Sequence, residues 1–289
     1  MKIAVVTGTS TGIGLTTSLH LARNGYQVFA GMRNPAKAES LQQAAAAESL
    51  PIEVVPLDVC DSDSVASAFT TAAKAGPIDV LVNNARIGGA SPLELTPLAE
   101  HKQMFETNYF GAVRCIQAVL ASMRERGSGC IVNITSAVGL QATPNQIAYS
   151  ASKWALECLG EALAHEMYRF GVRVVNIEPG VIMTNIFENS AEATRYDKQS
   201  PYQPLMRRNG KVFAAGFKRA VQADIVAATI LEAITTDHFQ MRWPVGSDAE
   251  GLMSARNVVP SEEWVSMGAD LSDGEYNEKF KSYFGIDLS

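Results

Sequence analysis

Tyr149 and Lys153, in the string YSASK, are the residues whose types and spacing point most directly to proton chemistry. Residues four apart lie on the same face of a helix, so a helix here would hold the two side chains together. A free tyrosine titrates at about pH 10, and a neighbouring ammonium group favours the phenolate and lowers that pKa. Such a pair suits a tyrosine that acts as a general acid or base, although a tyrosine four residues before a lysine means little without the motifs that precede it. The alternative interpretation is an aromatic residue that packs at the start of a helix.

A glycine-rich string, TGTSTGIG, lies at 7–14 and follows a short apolar run. Glycine lets the backbone turn sharply, and a helix that begins at such a turn offers its free N–H groups to a pyrophosphate. A purely structural turn is the alternative, but the position between a predicted strand and a predicted helix favours dinucleotide binding. The residues assigned to this site are Gly8, Thr9, Ser10, Gly12, Ile13 and Gly14.

The ends of the next two predicted strands indicate which dinucleotide would bind. Sites for NAD usually carry an acidic residue at the end of the second strand, whereas this strand ends in GMRNP, with Arg33 and no acid. A guanidinium group can pair with the 2′-phosphate of NADP. We therefore predict that NADP(H) is the preferred cofactor, with NAD(H) as the alternative, and assign Asp58 to the adenine amino group. The competing interpretations are a solvated loop arginine for Arg33 and a helix cap for Asp58.

These residues must be positioned by a scaffold, and the first 180 residues alternate between β-branched runs and helical patterns. This alternation predicts a parallel sheet with helices on both faces, and the continuous apolar runs fit strands buried on both sides. The predicted fold class is α/β, a doubly wound parallel sheet of the Rossmann type with about seven strands. The predicted strands are Ile3–Val6, Gln27–Ala30, Ile52–Val55, Val80–Val82, Cys130–Ile134 and Arg173–Ile177, and the predicted helices are roughly 12–24, 36–49, 62–75, 100–126 and 148–170.

The pattern changes after Gly180. Residues 185–212 are polar and contain Pro201, Pro204 and Gly210, which predicts a long loop that is either functional or disordered. A helix is predicted over Asp224–Thr235 and a last short strand over Gln240–Trp243, before Pro244. We predict one domain over 1–289, with a substrate-loop insert at 185–222 and a mixed C-terminal extension at 246–289.

These motifs resemble the short-chain dehydrogenase/reductase family over residues 1 to about 184. The resemblance rests on TGTSTGIG, on NNA at 83–85, on YSASK and on Pro179-Gly180, in the family's order and approximate spacing. Asn108 and Ser136 also match. A narrower likeness, to carbonyl reductases and to steroid- or retinoid-type members, lies in the 185–222 insert and the C-terminal region.

The resemblance implies a catalytic set of Asn108, Ser136, Tyr149 and Lys153. Ser136 would hold the substrate oxygen, Lys153 would also bond the nicotinamide ribose, and Asn108 would order a water that links Lys153 to solvent. The alternatives are a strand-end turn residue for Ser136 and a helix residue bonded to nearby backbone for Asn108. Further cofactor contacts implied by the resemblance are Val59, Asn84, Ala85, Pro179, Gly180, Ile182 and Thr184.

Arg86 departs from the family pattern, in which glycine usually follows NNA. Glycine lets the backbone pass close to a cofactor, whereas an arginine needs room and brings a charge to the nicotinamide side. We therefore expect Arg86 to narrow the access of cofactor or substrate.

Apolar residues on both sides of the predicted site suit a small hydrophobic ketone, aldehyde or secondary alcohol. Ordinary core packing is the alternative for each of them. The residues assigned to the substrate pocket are Leu140, Gln141, Ala142, Ile147, Ile186, Phe187, Tyr196, Tyr202, Leu205, Met206 and Phe213.

Composition excludes several classes of function. The net charge is −6 and no basic run is present, which argues against nucleic acid or an anionic membrane surface as a partner. No apolar stretch approaches the roughly 20 residues of a membrane span. The four cysteines follow no zinc-ligand spacing, so we predict no metal and, from reduced thiols, a cytoplasmic protein. The family resemblance implies a homodimer or homotetramer through helices 100–126 and 148–170.

Three hypotheses about function follow from the sequence. The first is an NADPH-dependent carbonyl reductase that works reversibly with Tyr149 as general acid or base. The second is an enzyme of the same fold with a different net chemistry, such as dehydration or epimerisation. The third is a dinucleotide-binding sensor without catalysis, which the complete set of four catalytic residues disfavours.

Overall fold

The computed structural model describes residues 1–183, 194–195, 197–256 and 258–289, and its centre is a seven-stranded parallel sheet. This confirms the predicted doubly wound α/β fold. The strands of the sheet run in the order β3-β2-β1-β4-β5-β6-β9. Their bounds are β1 Lys2–Thr7, β2 Tyr26–Met32, β3 Ile52–Pro56, β4 Ile78–Asn83, β5 Gly129–Ile134, β6 Val172–Pro179 and β9 Arg242–Val245, while β7 Ile182–Met183 and β8 Val221–Gln222 form a separate pair.

Helices cover both faces of this sheet because successive side chains of a strand point to opposite sides. In β1, Ala4 and Val6 belong to one buried cluster, with Leu21 and Ile230, whereas Ile3 and Val5 belong to the other, with Val119 and Leu163. The helices are α1 Gly12–Arg23, α2 Glu39–Ala47, α3 Ser62–Ala73, α4 Leu98–Phe105, α5 Gly111–Arg126, α6 Ile147–Tyr168, α7 Gln203–Lys218, α8 Ala223–Thr235, α9 Ser247–Arg256, α10 Ser261–Ser266 and α11 Asp273–Phe284. None of these helices is both long and apolar enough to cross a membrane.

The strand order reverses between β1 and β4, which lie side by side although α1, β2, α2, β3 and α3 separate them in the chain. In open parallel sheets a ligand crevice forms at such a point, outside the carboxyl ends of the strands. The chain leaves β1 at Gly8 and β4 at Asn84, so both predicted cofactor segments meet at this crevice.

The prediction of a long loop over 185–212 is wrong from Gln203 onward, because α7 occupies Gln203–Lys218. Pro204 lies in the first turn of this helix, where its missing N–H leaves no bond unmade. Gly210 is accommodated within the helix. Met206 and Ala215 are buried on its inner face, so packing rather than local propensity determines this helix.

The last strand and the C-terminal segment also differ from prediction. The strand is shifted to Arg242–Val245 and includes Pro244, which is tolerated because β9 is an edge strand with one partner. The described residues of the C-terminal segment, 246–256 and 258–289, include the helices α9, α10 and α11. The last helix, α11, begins with a capping box between Ser272 and Glu275, and its Phe280 lies in a third buried cluster.

The helix predicted over 100–126 is interrupted by one turn of π-helix at Glu106–Phe110, between α4 and α5. Such turns insert one extra residue per turn and are frequent at functional sites. Asn108 lies in the middle of this turn and is 2% exposed.

Candidate active site

The glycine-rich turn after β1 has a conformation that only glycine adopts easily. Gly8 and Gly12 have φ of +69° and +57°. A Cβ on Gly8 would lie 2.7 Å from Ala85 Cα, and one on Gly14 would lie 2.3 Å from Gly8 O. The turn therefore lies tightly against β4, and α1 begins at its end with free N–H groups near Ile13.

Asn84 and Thr7 hold this turn against β4. Asn84 Nδ2 donates to Thr7 O at 2.8 Å and to Gly8 O at 2.9 Å. The backbone N–H groups of Asn84 and Ala85 both donate to Thr7 Oγ1 at 2.9 Å. Thr7 was not among the predicted site residues, although its position between β1 and the first glycine is a sequence signal for such a brace.

The hydroxyl of Thr9 points into the protein. Thr9 Oγ1 donates to Gly31 O at 3.1 Å, and the residue is fully buried. Ser10 is half-buried and Thr11 is exposed at the start of α1. The hydroxyl of Ser10 is thus better placed than that of Thr9 to face a ligand outside the turn.

The ends of β2 and β3 lie further along the same edge of the sheet. Arg33 is exposed just after β2, and no hydrogen bond or ion pair involves it in the described part of the chain. Asp58 Oδ1 accepts a hydrogen bond from Cys60 N at 3.0 Å, and Val59 is buried against Gly111, where a Cβ would lie 2.7 Å from Val59 Cγ2. Because β2 and β3 lie on the opposite side of β1 from β4 and β5, Arg33 and Asp58 lie apart from Tyr149.

Ser136 and Tyr149 meet at the end of β5. Ser136 caps a short 3₁₀ turn, accepting a hydrogen bond from Val138 N and donating one to Pro179 O, both at 3.4 Å. Burial raises the pKa of Tyr149, while the charge of Arg86 and the polar interaction with Ser136 oppose that rise. The sequence predicts that Lys153 lowers the pKa of Tyr149, but the effect of burial is larger and the pKa of Tyr149 is raised.

Lys153 lies one turn after Tyr149 on α6 and is 1% exposed. Its Nζ donates to Ile134 O at 2.8 Å and is 5.9 Å from the centre of the Tyr149 ring. Burial and then the charge of Arg86 lower the pKa of Lys153 to about 7, while the charge of Glu157 opposes them. The helical spacing predicted from YSASK is therefore present, with a lysine that exchanges a proton near neutral pH.

Asn108 links the π turn to the same helix. Its Oδ1 accepts a hydrogen bond from Ile87 N at 2.9 Å, and its Nδ2 donates to Ile87 O and to Ser152 Oγ, both at 3.0 Å. Ser152 in turn donates to Tyr149 O at 2.7 Å. The side chain of Asn108 thus fixes the segment after β4 and the first turn of α6 relative to each other.

The segment after β6 is fastened by Asp248, which sequence reasoning missed. Asp248 Oδ2 accepts a hydrogen bond from Val181 N at 2.7 Å, and the residue is 4% exposed. A Cβ on Gly180 would lie 2.1 Å from Asp248 Oδ1, so glycine is required at that position. Pro179, Gly180 and Ile182 line the same cavity as Tyr149. Thr184 lies outside the described residues.

A cavity of about 360 Å³ opens beside Ser136 and Tyr149, and its walls are mostly apolar. Of the residues assigned to the substrate pocket, Gln141, Leu205, Met206 and Phe213 line it. Leu140, Ala142, Ile147 and Tyr202 do not line it, and Ile186, Phe187 and Tyr196 fall outside the described residues. The C-terminal segment contributes walls that were not predicted, namely Leu252, Trp264, Tyr276, Phe280 and Ile286.

Arg86 also lines this cavity and is half-buried. Its Nη1 donates to Asn84 Oδ1 at 3.4 Å. Burial lowers the pKa of Arg86, and Tyr149 is the group whose charge opposes that shift. The residue that departs from the family pattern therefore lies at the predicted catalytic tyrosine.

The chain was compared with known proteins. The family model described as short chain dehydrogenase matches residues 2–195. Human (Homo sapiens) retinol dehydrogenase 8 is 43% identical over 188 residues, which is 63% of this chain and 60% of that protein. The chain thus spans less than two thirds of that relative's length.

Two solved structures are similar over most of the chain. A short-chain dehydrogenase from Streptomyces avermitilis is 32% identical, with a TM-score of 0.79 over 93% of this chain and 98% of that one. An alcohol dehydrogenase from the archaeon Thermococcus sibiricus, complexed with 5-hydroxy-NADP, is 25% identical, with a TM-score of 0.71 over 85% of this chain and 96% of that one. With the fold and the family match, these likenesses show that the chain belongs to the short-chain dehydrogenase/reductase family and is an NAD(P)-dependent oxidoreductase.

Proposed function

We propose that this protein is an NADPH-dependent reductase that acts reversibly between a hydrophobic ketone or aldehyde and the corresponding alcohol. The observation that supports this most directly is the placement of Tyr149 and Ser136 together on the wall of a mostly apolar cavity, with the buried Lys153 behind them. An apolar cavity with a few convergent polar groups is the usual form of a small-molecule site.

The cofactor fits the residues at the reversal of strand order. The backbone at Gly8 and Gly14 leaves no room for side chains, and the first turn of α1 offers N–H groups for a pyrophosphate. Pro179, Gly180 and Ile182 line the cavity on the side where the nicotinamide would lie. When bound, the dinucleotide supplies the hydride of the reaction.

The proton of the reaction is assigned to Tyr149. Ser136 Oγ donates a hydrogen bond to the substrate's carbonyl oxygen, and the same oxygen takes the proton of the Tyr149 hydroxyl. The positive charge of Arg86 stabilises the phenolate that remains. We assign a supporting role to Lys153, whose Nζ is 5.9 Å from the centre of the Tyr149 ring. Asn108 positions the first turn of α6 through Ser152. In alcohol oxidation the same groups act in reverse.

The preference for NADPH is assigned to Arg33. The side chain is exposed at the end of β2 and free, among the described residues, to pair with a 2′-phosphate. The strand end carries no carboxylate that would favour the ribose hydroxyls of NAD. Asp58 remains the proposed partner of the adenine amino group.

We also propose a homodimer or homotetramer built through α5 and α6. Phe110, just before α5, is 46% exposed, and Trp154 on α6 is 39% exposed. Large exposed apolar side chains near two long helices suit an interface between copies.

The experiment that tests the proposed function is an assay of the purified protein with NADPH and NADH against apolar ketones, aldehydes and secondary alcohols. We expect ketone-dependent oxidation of NADPH, faster than of NADH, and an alcohol as the product. Binding of NADPH without turnover of any carbonyl would support the dinucleotide-binding sensor instead. A dehydrated or epimerised product would support the second hypothesis.

A further inference from the structure

Arg86 brings a positive charge to a cavity that is otherwise mostly apolar. Its side chain shares the cavity wall with Ser136 and Tyr149, the groups proposed to hold the reacting oxygen. A guanidinium group has five N–H donors, and leaving them without partners in a partly desolvated site costs free energy.

The charge of Arg86 is not neutralised by any carboxylate in the described part of the chain. Its hydrogen bond to Asn84 Oδ1 is long, at 3.4 Å, and the acceptor is a neutral amide. The other cation that lines the cavity has an acidic partner, since Arg195 forms two hydrogen bonds with Glu100. Of the described cations that line the cavity, Arg195 is paired with an acid and Arg86 is not.

A second cation close to Arg86 makes the binding of an anion at this site more favourable. Lys153 lies behind Tyr149, and its pKa is lowered first by burial and then by the positive charge of Arg86. Glu157, the nearest acid on the same helix, is directed to Asn176 and Arg242 instead. A negative group on the ligand would relieve this repulsion and fill the unused donors.

We propose that Arg86 binds a carboxylate of the substrate, so that the preferred substrate is an oxo acid with an apolar chain and its acid group close to the carbonyl carbon. The planar guanidinium matches a carboxylate with two parallel hydrogen bonds. The apolar walls from α7 and the C-terminal helices accept the chain. This inference rests on the proposed carbonyl chemistry at Tyr149 and narrows its substrate class.

The test compares a medium-chain 3-oxo acid with its methyl ester, which has the same carbonyl without the charge. We measure kcat/KM with NADPH for the parent protein, for Arg86→Gln and for the control Arg124→Gln, which removes an exposed arginine of α5. The parent and the control prefer the acid. Arg86→Gln loses about tenfold to a hundredfold in this preference, mainly through KM, because a hydrogen-bonded charge is removed.

Calorimetric binding of the 3-hydroxy acid and its ester, with NADPH present so that no hydride transfer can occur, separates this inference from the proposed function. If the protein binds the acid more tightly than the ester, and this preference depends on Arg86, the inference is supported even when no oxo acid is reduced. The lack of reduction would contradict only the proposed reductase activity. Equal use of acid and ester by the parent overturns the inference. It is also overturned when Arg86→Gln keeps the preference and instead binds NADPH more weakly, which would assign the guanidinium to the cofactor's phosphates.

Discussion

Glu157 and Glu178 lie against the same guanidinium nitrogen: Arg242 Nε is 3.3 Å from Glu157 Oε2 and 3.4 Å from Glu178 Oε1. The two acids are 3% and 0% exposed, so one cation faces two buried carboxyl groups. Neither oxygen of Glu178 has a hydrogen-bond partner among the described residues. Burial, and then the charge of Glu157, raise the pKa of Glu178 to about 9. One carboxyl group of the pair therefore retains a proton at neutral pH.

This pair ends a chain of buried amides that crosses the sheet. Asn83 donates to Asn133 at 3.0 Å, Asn133 donates to Asn176 at 3.2 Å, and Asn176 donates to Glu157 Oε2 at 2.8 Å. The three asparagines are in register on β4, β5 and β6. Glu157 lies one turn after Lys153, so the chain of hydrogen bonds connects the sheet to the helix that carries the proposed catalytic pair.

Glu178→Gln is expected to change how stability depends on pH. The folded parent holds a proton on Glu178 that the unfolded chain releases above its ordinary pKa, so the contribution of Glu178 is complete at low pH and is lost as pH rises toward 9. Relative to the variant, the parent's free energy of unfolding falls by up to about 1.4 kcal/mol per pH unit in this window. Urea unfolding of both proteins between pH 5 and 9 measures the difference. Glu166→Gln, which removes an exposed acid of α6, is the control. Parallel curves for Glu178→Gln and the parent would contradict the shared proton.

Gly160→Ala is expected to destabilise the protein because α6 passes close to the chain of amides. A Cβ on Gly160 would lie 2.1 Å from Asn176 Oδ1. Forcing a methyl group into a packed site costs about 1–3 kcal/mol. Gly210→Ala is the matched control, since a Cβ there meets nothing within 4 Å and gains about 0.5–1 kcal/mol of helix propensity. Thermal and urea unfolding of the two variants measure this, and equal stability would contradict the close approach.

Arg33→Glu is expected to reverse the proposed cofactor preference. A glutamate repels the 2′-phosphate and offers an acceptor to the ribose hydroxyls of NADH. The ratio of kcat/KM for NADPH to that for NADH should fall about tenfold or more, since hydrogen bonds to charged groups contribute about 1.5–3 kcal/mol. Lys37→Glu, an exposed substitution nearby with the same change in charge, is the control. An unchanged ratio in Arg33→Glu would assign the preference to other residues.

The parts of the site that could be predicted from the sequence are those that depend on local spacing. The glycines of the turn after β1, and Tyr149 with Lys153 on one helix face, follow from conformational freedom and helix periodicity. The bond from Asp248 to Val181 joins residues far apart in the chain, and no local pattern signals it. The same holds for Trp264 and Phe280, which reach the cavity through tertiary packing of the C-terminal helices.

Two errors of prediction have a common physical cause. Because proline and glycine usually interrupt regular structure, the sequence predicts a loop where the structure has α7, and a strand that ends before Pro244. In the structure, Pro204 lies in a first helical turn and Pro244 on an edge strand, positions where the missing N–H matters least. The tertiary contacts of α7 and β9, rather than their residue types alone, therefore determine the secondary structure of these segments.

The most direct test of the account is Tyr149→Phe, compared with Tyr168→Phe, which removes a hydroxyl from an exposed tyrosine at the end of the same helix. We predict that Tyr149→Phe lowers kcat for ketone reduction by about a hundredfold to ten-thousandfold, the usual contribution of a general acid. NADPH affinity, measured by fluorescence, should stay close to that of the parent, and Tyr168→Phe should match the parent in both. Turnover by Tyr149→Phe at the parent's rate would contradict the assignment of the proton to Tyr149.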